Sequence, residues 1–218
     1  MVVSTTEELD HNKMSGGIKV IDLFAGAGGL GLGAANSGGQ VALSVEWDKH
    51  ACDTLRLNGQ HHGSVVEADV CDMSGADLRK RAGIRAKEPF ILVGGPPCQA
   101  FSKAAYWTDE GVDAAYRRAR AKGEDVQRPD YSPIAKEDAR RDLVFQYWRL
   151  IFESNATGFL FENVPSIKHP RNKHIYEKFV RSAKEHGYHV TELVTSATDF
   201  GAPQARERVF VMGVKESV

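Results

Sequence analysis

The stretch GGPPCQAFS, from Gly94 to Ser102, places a cysteine directly behind two prolines and after the apolar run FILV. The prolines fix the backbone dihedrals before Cys98 and remove two amide donors, so they form a rigid mount for the thiol. A nucleophile that is held in place saves part of the ordering entropy of its reaction. Buried cysteines often only pack, and this interpretation stays open for Cys98 taken alone. In this setting the thiol is a candidate nucleophile.

A second candidate for chemistry is Glu162, which ends the apolar stretch GFLFE and precedes NVPS. Desolvation beside such a run is expected to make the carboxyl group hold its proton more tightly, which suits a proton donor. The alternative is a glutamate that points to water at the end of a strand.

The stretch QARERVF carries Gln204, Arg206 and Arg208 at alternate positions. A strand would project all three side chains on one face. Three planar hydrogen-bonding groups in a row suit an oxygen-rich ligand, whereas the alternative is a solvated edge strand.

A glycine loop, DLFAGAGGLGLG, contains G-x-G-x-x-G at Gly26, Gly28 and Gly31. Such glycines let the backbone turn tightly and approach a ligand at a helix N-terminus. Glu46 follows Gly26 by 20 residues, where it could accept hydrogen bonds from ribose hydroxyls. The pattern predicts an adenosine-containing cofactor and leaves a nicotinamide dinucleotide open.

Two side chains near Glu46 could hold an adenine ring. Trp47 offers an aromatic face for stacking, and Asp69 could accept from the adenine amino group. The structural alternatives are core packing for Trp47 and a strand-end or helix-cap position for Asp69.

The elements that position these residues alternate along the chain. Seven apolar runs predict strands, and four amphipathic or small-residue stretches predict helices. The strands are IKVIDLF, QVALSVE, SVVEADV, PFILVGG, TGFLFEN, HVTELVTS and RVFVMGV, and the helices are GLGLGAANSGG, HACDTLRLN, RRDLVFQYWRLIFES and HIYEKFVRSAKEHG. This alternation predicts a mainly parallel sheet with helices on both faces, whose ligands gather at the carboxyl ends of the strands. The charged, Gly- and Pro-containing segment from about residue 100 to 138 is expected to be a long active-site loop.

Composition excludes several classes of protein. The chain has 218 residues, 42% of them hydrophobic, and carries three cysteines without a C-x-x-C, which argues against disulfides and a zinc site. No apolar run has the length of a membrane span or the place of a secretory signal, so a cytoplasmic location, nucleoid-associated in a prokaryote, is expected. A net charge of −1 leaves only local basic stretches, RRARAKGEDVQR and IKHPRNKH, as candidates for a basic surface, and charge runs are commonly just solvated.

Five stretches in order, DLFAGAGG, VEWD, GGPPCQAFS, FLFENV and QARERVF, resemble the cytosine carbon-5 DNA methyltransferases over residues 18 to about 213. The resemblance implies an α/β, Rossmann-like fold with a mainly parallel seven-stranded sheet, and S-adenosylmethionine as cofactor. It implies these cofactor-binding residues: Phe24, Ala25, Gly26, Gly28, Gly29, Glu46, Trp47, Asp69, Val70, Pro97 and Leu143. It assigns catalysis to Cys98, Glu162, Arg206 and Arg208, and substrate contacts to Gln99, Ser102, Asn163, Val164 and Gln204.

The chemistry that the resemblance implies begins with addition of the Cys98 thiolate to carbon 6 of cytosine, while Glu162 protonates or hydrogen-bonds ring nitrogen 3. Carbon 5 then accepts the methyl group, and elimination of Cys98 releases 5-methylcytosine. A base in double-stranded DNA must be flipped out of the helix for this reaction. A tRNA cytosine methyltransferase and a regulatory subunit without chemistry remain alternatives.

The family normally continues beyond Q-x-R-x-R into a target-recognition region and a last conserved segment that returns to the cofactor. We expect residues 1–17 to be a flexible tail and residues 18–218 to be the catalytic domain, with no target-recognition domain. A second subunit that supplies the missing parts is the favoured explanation, and a fragment of a longer protein is the other.

Overall fold

The computed structural model describes residues 17–98, 101, 112–127, 142–170 and 172–215. Residues 1–16 of the expected tail and most of the expected loop therefore lie outside the described residues. The strands are β1 Lys19–Leu23, β2 Gln40–Glu46, β3 Ser64–Glu67, β4 Phe90–Gly94, β5 Gly158–Asn163, β6 Tyr188–Ser196 and β7 Glu207–Lys215. The helices are α1 Gly29–Asn36, α2 Lys49–Leu57, α3 Gly59–His62, α4 Gly75–Arg81, α5 Val112–Ala121, α6 Leu143–Ser154 and α7 Lys173–Glu185.

All seven predicted strands are present, and the four predicted helices correspond to α1, α2, α6 and α7. Three short helices were not predicted. For α4 a signal was available, because Ser74 and Asp77 form a capping box in which each side chain accepts the other residue's amide. Helix α5 lies inside the segment that was predicted as a loop.

The sheet has the strand order β3-β2-β1-β4-β5-β7-β6. Strands β1 to β5 pair in parallel, and β7 runs antiparallel to both of its neighbours, β5 and β6. The prediction of a mainly parallel seven-stranded sheet is thus confirmed. The chain reverses its direction of travel across the sheet between β1 and β4, and in such sheets this is where a crevice opens beyond the carboxyl ends.

One face of the sheet carries the main core, beneath α4, α6 and α7. Tyr147 of α6 is fully buried there, and its hydroxyl donates to the carbonyl oxygens of Leu92 and Leu160 at 3.0 and 2.9 Å. It packs beside Phe161 and Phe179. Because two neighbouring strands share this one donor, α6 is fixed to the centre of the sheet.

The opposite face is covered unevenly. Leu30, Ala34 and Ala35 of α1 pack on β1, β2 and β4, and this small cluster reaches as far as Leu160. Farther along, an apolar patch of β5, β7 and β6 is only partly covered by described residues; its members are Leu160, Leu193, Phe210, Met212 and Val214.

The contrast across the sheet at this patch is large. Leu193 and Val214 are 47% and 53% exposed, whereas Val209 and Val211 on the other face of β7 are fully buried. We call this set of five residues the β5-β7-β6 patch. None of the described helices has the length and apolar composition that a bilayer-spanning segment needs.

Candidate active site

The glycine loop follows β1 and turns through left-handed backbone conformations at Phe24, Gly26 and Gly28, with φ values of 56°, 53° and 94°. A positive φ is costly for a phenylalanine and marks a conformation that the surrounding structure enforces. The amide of Gly26 donates to Oε2 of Glu46 at 2.8 Å, which ties the loop to the end of β2.

Glu46 is a nearly buried carboxylate with three backbone donors. Besides the amide of Gly26, the amides of Trp47 and Asp48 each donate to Oε1 at 2.9 Å. A carboxylate has about four acceptor positions, so roughly one remains for a ligand hydroxyl. The ribose hydroxyl predicted for Glu46 stays a prediction, and the three amides were not predicted.

A first cavity, about 290 Å3 in volume, lies at the carboxyl ends of β1, β2 and β4. It is lined by Phe24, Val45, Glu46, Trp47, Ala68, Asp69, Val70, Pro97 and Leu143. Seven of these nine residues were predicted to bind the cofactor. Val45 and Ala68 were not singled out, although each is adjacent in the chain to a predicted residue.

The two side chains proposed for adenine lie in this cavity. Trp47 is 75% exposed, so the alternative of core packing is wrong. Asp69 accepts the amide of Cys71 at 2.8 Å and caps the 3₁₀ turn Val70–Asp72. The cap interpretation of Asp69 is therefore correct, and the same side chain also lines the cavity.

Two buried polar side chains lie beneath the glycine loop, and sequence analysis missed both. Asp22 of β1 is fully buried, and burial raises its pKa to about 7, with a smaller contribution from Glu46. His62 is 3% exposed, and burial lowers its pKa. Among the described residues, neither Asp22 oxygen nor Nδ1 of His62 has a hydrogen-bond partner of standard geometry, although the Gly31 amide is near enough to Asp22 to offset part of the rise in its pKa.

Gly31 lies against both groups. A Cβ at this position would lie 2.7 Å from Oδ2 of Asp22 and 3.3 Å from Nδ1 of His62. A Cβ on Gly28 would meet the His62 ring at 2.4 Å. Close packing therefore requires glycine at the second and third positions of G-x-G-x-x-G.

The segment Gly94–Pro97, which precedes Cys98, packs closely against neighbouring residues of β1 and β5. Gly94 is needed because a Cβ would lie 2.8 Å from the carbonyl oxygen of Leu23. A Cβ on Gly95 would lie 2.8 Å from Oε2 of Glu162 and would displace that carboxylate. Asn163 is fully buried, and its amide donates to the carbonyl oxygen of Pro96 at 3.1 Å. Thus β5 positions the double proline, and Asn163 uses its side-chain amide within the protein.

Beyond the half-buried Cys98, the chain is anchored by Phe101. This ring is fully buried, its amide donates to the carbonyl oxygen of Cys98 at 2.9 Å, and its own carbonyl accepts from the Ser166 hydroxyl at 2.6 Å. Phe101 was not among the residues predicted to form the site. An aromatic residue three positions after the cysteine was the available signal.

A second cavity, about 460 Å3 in volume, lies on the other side of Phe24. Its lining residues are Phe24, Ala25, Gly29, Leu30, Gly95, Glu162, Thr195, Ser196, Ala197, Phe200, Arg206, Arg208 and Phe210. In it, Nε of Arg208 lies 2.6 Å from Oε1 of Glu162. The apolar run GFLFE gave no sign of this guanidinium, which lies directly beside the Glu162 carboxylate.

The prediction that Gln204, Arg206 and Arg208 share one face of a strand is wrong. Strand β7 begins at Glu207, and the preceding residues turn at Gly201, which has φ 80°. The turn is closed by the Ala197 amide, which donates to the carbonyl oxygen of Arg206 at 3.0 Å. Both arginines still line the second cavity, whereas Gln204 is exposed and does not.

The remaining predicted residues divide into two groups. Gln99 and Ser102 lie outside the described residues. Val164 is partly buried against the core, and its amide donates to Asn163 Oδ1 at 2.9 Å. Within the described ranges, no three His, Cys, Asp or Glu side chains are arranged as ligands of a metal ion.

The strand order and the two cavities at the carboxyl edge define a Rossmann-like α/β protein of the methyltransferase type. A crystal structure described as a prophage-encoded DNA modification methyltransferase of E. coli aligns with TM-score 0.68 and 31% identity, over 92% of this chain and 47% of that one. Dnmt2 of S. pombe aligns with TM-score 0.57 at 16% identity, over 92% of this chain and 50% of its own, which shows the fold alone.

The family itself follows from sequence comparison. The profile of the C-5 cytosine-specific DNA methylases matches residues 18–116 and 132–218, and the chain belongs to this family. Type II methyltransferase M.AquIA of Picosynechococcus sp. is 31% identical over 203 residues, which cover 89% of this chain and 71% of the relative. M.SacI of Streptomyces achromogenes is 28% identical over 91% of this chain, which spans only 48% of that relative.

Proposed function

We propose that this chain transfers a methyl group from S-adenosylmethionine to carbon 5 of cytosine in DNA, through a covalent adduct with Cys98. One observation carries the proposal: Gly95 and Pro97, in the segment directly before Cys98, border the two cavities. Pro97 lines the first and Gly95 the second, and Phe24 forms part of both. A thiol on this segment can therefore meet a base in the second cavity beside a cofactor that spans the two.

The first cavity fits the adenosine part of S-adenosylmethionine. Glu46 retains about one acceptor position for a ribose hydroxyl, Trp47 presents an exposed ring for stacking, and Asp69 offers a carboxylate at the rim. The cofactor supplies an electrophilic methyl group on a sulfonium centre. The methionine part would extend past Phe24 towards Gly29 in the second cavity.

The reactive residues have distinct tasks. Cys98, as thiolate, adds to carbon 6 while the carboxyl group of Glu162 donates its proton to nitrogen 3, so carbon 5 becomes the nucleophilic carbon of an enamine. Nitrogen 3 returns the proton to Glu162 when Cys98 leaves. After methyl transfer, the carbon-5 proton leaves to a base and the carbon–sulfur bond breaks, so the thiolate of Cys98 is restored. Glu162 must stay oriented throughout, and its ion pair with Arg208 serves this purpose.

Arg206 and Arg208 line the cavity that would receive the flipped base. Guanidinium groups donate hydrogen bonds in a fixed planar fork, which suits the base carbonyl and the sugar–phosphate oxygens. We assign Arg208 to contact with the flipped base, because it already contacts Glu162. We assign Arg206 to the base carbonyl or to the sugar–phosphate backbone of the DNA. DNA is preferred over tRNA as substrate because the matching family is described as DNA methylases.

We further propose that a second polypeptide supplies target recognition and completes the cofactor pocket. The β5-β7-β6 patch supports this, because an apolar sheet face in an α/β protein is normally covered by a helix. The patch also adjoins the second cavity through Phe210. A segment that packed on the patch would therefore end near Glu162 and the glycine loop.

The decisive experiment uses DNA that carries 5-fluorocytosine, because fluorine at carbon 5 blocks the final proton loss and traps the adduct. The chain is incubated with S-adenosylmethionine and with candidate second polypeptides encoded beside it. We expect a covalent complex that disappears in Cys98→Ser and persists in Cys71→Ser, since Cys71 is an exposed cysteine outside the pair of cavities.

Three outcomes decide between the hypotheses. An adduct with RNA and none with DNA would favour the tRNA enzyme. Binding of S-adenosylmethionine without any adduct would favour a regulatory subunit. Strong, sequence-specific trapping by the chain alone would contradict the need for a second polypeptide. The double variant Leu193→Glu/Val214→Glu tests whether the β5-β7-β6 patch is the docking surface, and we expect it to lose the trapping that the second polypeptide supports.

A further inference from the structure

Helix α6 approaches the first cavity at two points. Its first residue, Leu143, lines the cavity directly. Six residues later, the Arg149 side chain reaches the turn Val70–Met73, whose first residue, Val70, also lines this cavity. The first contact was predicted from the sequence, whereas nothing had been assigned to Arg149.

The guanidinium group of Arg149 bridges this turn. Its Nη2 donates to the carbonyl oxygen of Val70 at 3.0 Å, and its Nη1 donates to the carbonyl oxygen of Met73 at 2.9 Å. These carbonyls lie at the start and just beyond the end of the 3₁₀ turn that Asp69 caps. One planar group thus holds both ends of the turn.

The guanidinium is itself held in place. Its Nε donates to Gln146 at 2.7 Å, and Nη1 also contacts both carboxylate oxygens of Glu153 at 3.0 and 3.1 Å. Glu153 accepts the amide of Gly75, at the start of α4, at 3.0 Å, and this amide together with Arg149 holds the pKa of Glu153 below its usual value. The orientation of Arg149 is therefore fixed from both sides.

We propose that Arg149 is a positioning residue of the cofactor pocket: it sets the distance between the Asp69–Val70 wall and Leu143. This inference rests on the proposed function, because the pocket must bind S-adenosylmethionine. The planar fork is essential, since the two carbonyls need two donors in a fixed relation. A lysine keeps the charge, but its donors all radiate from one nitrogen on a flexible stem, so it lacks the planar fork that meets the two carbonyls together.

Arg79 offers a matched control. It is also partly buried, it donates to the carbonyl oxygen of Ser154 at 3.1 Å and to that of Arg85, and its guanidinium lies 5.2 Å from the centre of the Phe90 ring. Like Arg149, it links the α4 region to α6 through backbone carbonyls. It lines neither cavity.

The test measures the dissociation constant of S-adenosylmethionine by calorimetry for wild type, Arg149→Lys and Arg79→Lys, together with the urea midpoint of each protein. We expect Arg149→Lys to weaken binding about tenfold or more, which corresponds to about 1.4 kcal/mol. We expect Arg79→Lys to change binding less than about twofold at a comparable loss of stability. Arg149→Met, which lacks any donor, should bind no better than Arg149→Lys.

Two results would overturn the inference. The first is equal affinity in wild type and Arg149→Lys. The second is a loss of affinity in Arg79→Lys that matches that of Arg149→Lys at equal stability, because a merely structural role would affect both alike. A wild-type chain that binds no S-adenosylmethionine would instead refute the proposed function, and the inference with it.

Discussion

Arg208 and Glu162 lie on the same face of neighbouring strands β7 and β5, and their side chains form an ion pair at 2.6 Å. The pair is 16% and 25% exposed, so a ligand in the second cavity can reach it without a rearrangement of the core. The carboxylate also packs against Gly95, three residues before Cys98. The orientation of Glu162 is therefore fixed by a partner strand and by the thiol segment together.

Replacement of Arg208 by lysine should slow adduct formation far more than it changes cofactor binding. Lysine keeps a positive charge but loses the Nε donor that contacts Glu162. Removal of one such donor at a reacting centre costs roughly 100-fold or more in rate. The measurement is the rate at which the adduct with 5-fluorocytosine DNA forms, under the same conditions that trap the wild-type protein. Lys173→Ala, which removes an exposed ion pair with Glu177, is the control and should trap normally.

Replacement of Glu46 by glutamine should weaken S-adenosylmethionine binding about tenfold or more. The amide group of glutamine would place a donor against at least one of the three backbone amides that now donate to the carboxylate. Glu67 is paired with Glu46 in the β2–β3 register, is exposed and lines neither cavity, so Glu67→Gln is the matched control. Equal affinities in all three proteins would refute this role of Glu46.

The Gly31→Ala and Gly33→Ala variants should have opposite effects on stability. At Gly31 a Cβ would meet Asp22 and His62, and overpacking of this kind costs about 1–3 kcal/mol. At Gly33, in the same helix, a Cβ would meet nothing within 4 Å, so alanine should stabilise by about 0.5–1 kcal/mol. Urea denaturation of the two variants measures the difference. A Gly31→Ala protein as stable as wild type would contradict the packing around Asp22.

Asp22 should make the stability of the protein fall as the pH rises from about 4 to about 7, because its pKa is raised on folding. Its pKa is about 7 in the folded chain and near 3.8 when unfolded, so the folded state binds the proton more tightly. Stability is full below about pH 4 and decreases as the pH approaches 7, by up to the order of 4 kcal/mol. Asp22→Asn has no such charge, so its advantage over wild type should grow with pH.

The control for this measurement is Asp77→Asn. Asp77 is exposed, and hydrogen bonds from Ser74 lower its pKa, so its contribution is lost only as the pH falls below the normal range for an aspartate. The difference between Asp77→Asn and wild type should therefore stay constant between about pH 5 and 8. If the difference between Asp22→Asn and wild type is also constant over this pH range, the result contradicts the desolvation of the Asp22 carboxyl group that the structure indicates.

Local signals predicted much of this fold. All seven strands lie within or near the predicted apolar runs, because a buried parallel strand needs a short continuous apolar stretch. Helix α3 has only four residues, too few for a periodic signal, whereas α5 is amphipathic and was missed because it lies in a charged segment that was predicted as a loop. The run RVFVMGV placed the start of β7 within one residue of Glu207. The alternation of Gln204, Arg206 and Arg208 suggested a longer strand face, which does not form because Gln204 and Arg206 precede the strand.

The sequence by itself determined that the backbone before Cys98 is rigid, because proline fixes its φ angle wherever it stands. It likewise determined the turns of the glycine loop, because glycine permits positive φ angles. It also determined the family, through the order of its motifs. Only the tertiary structure decided which side chains meet: Arg208 with Glu162, Arg149 with Val70, and Asp22 with Gly31. These contacts depend on strand order and on packing between distant segments, and local periodicity carries no information about either.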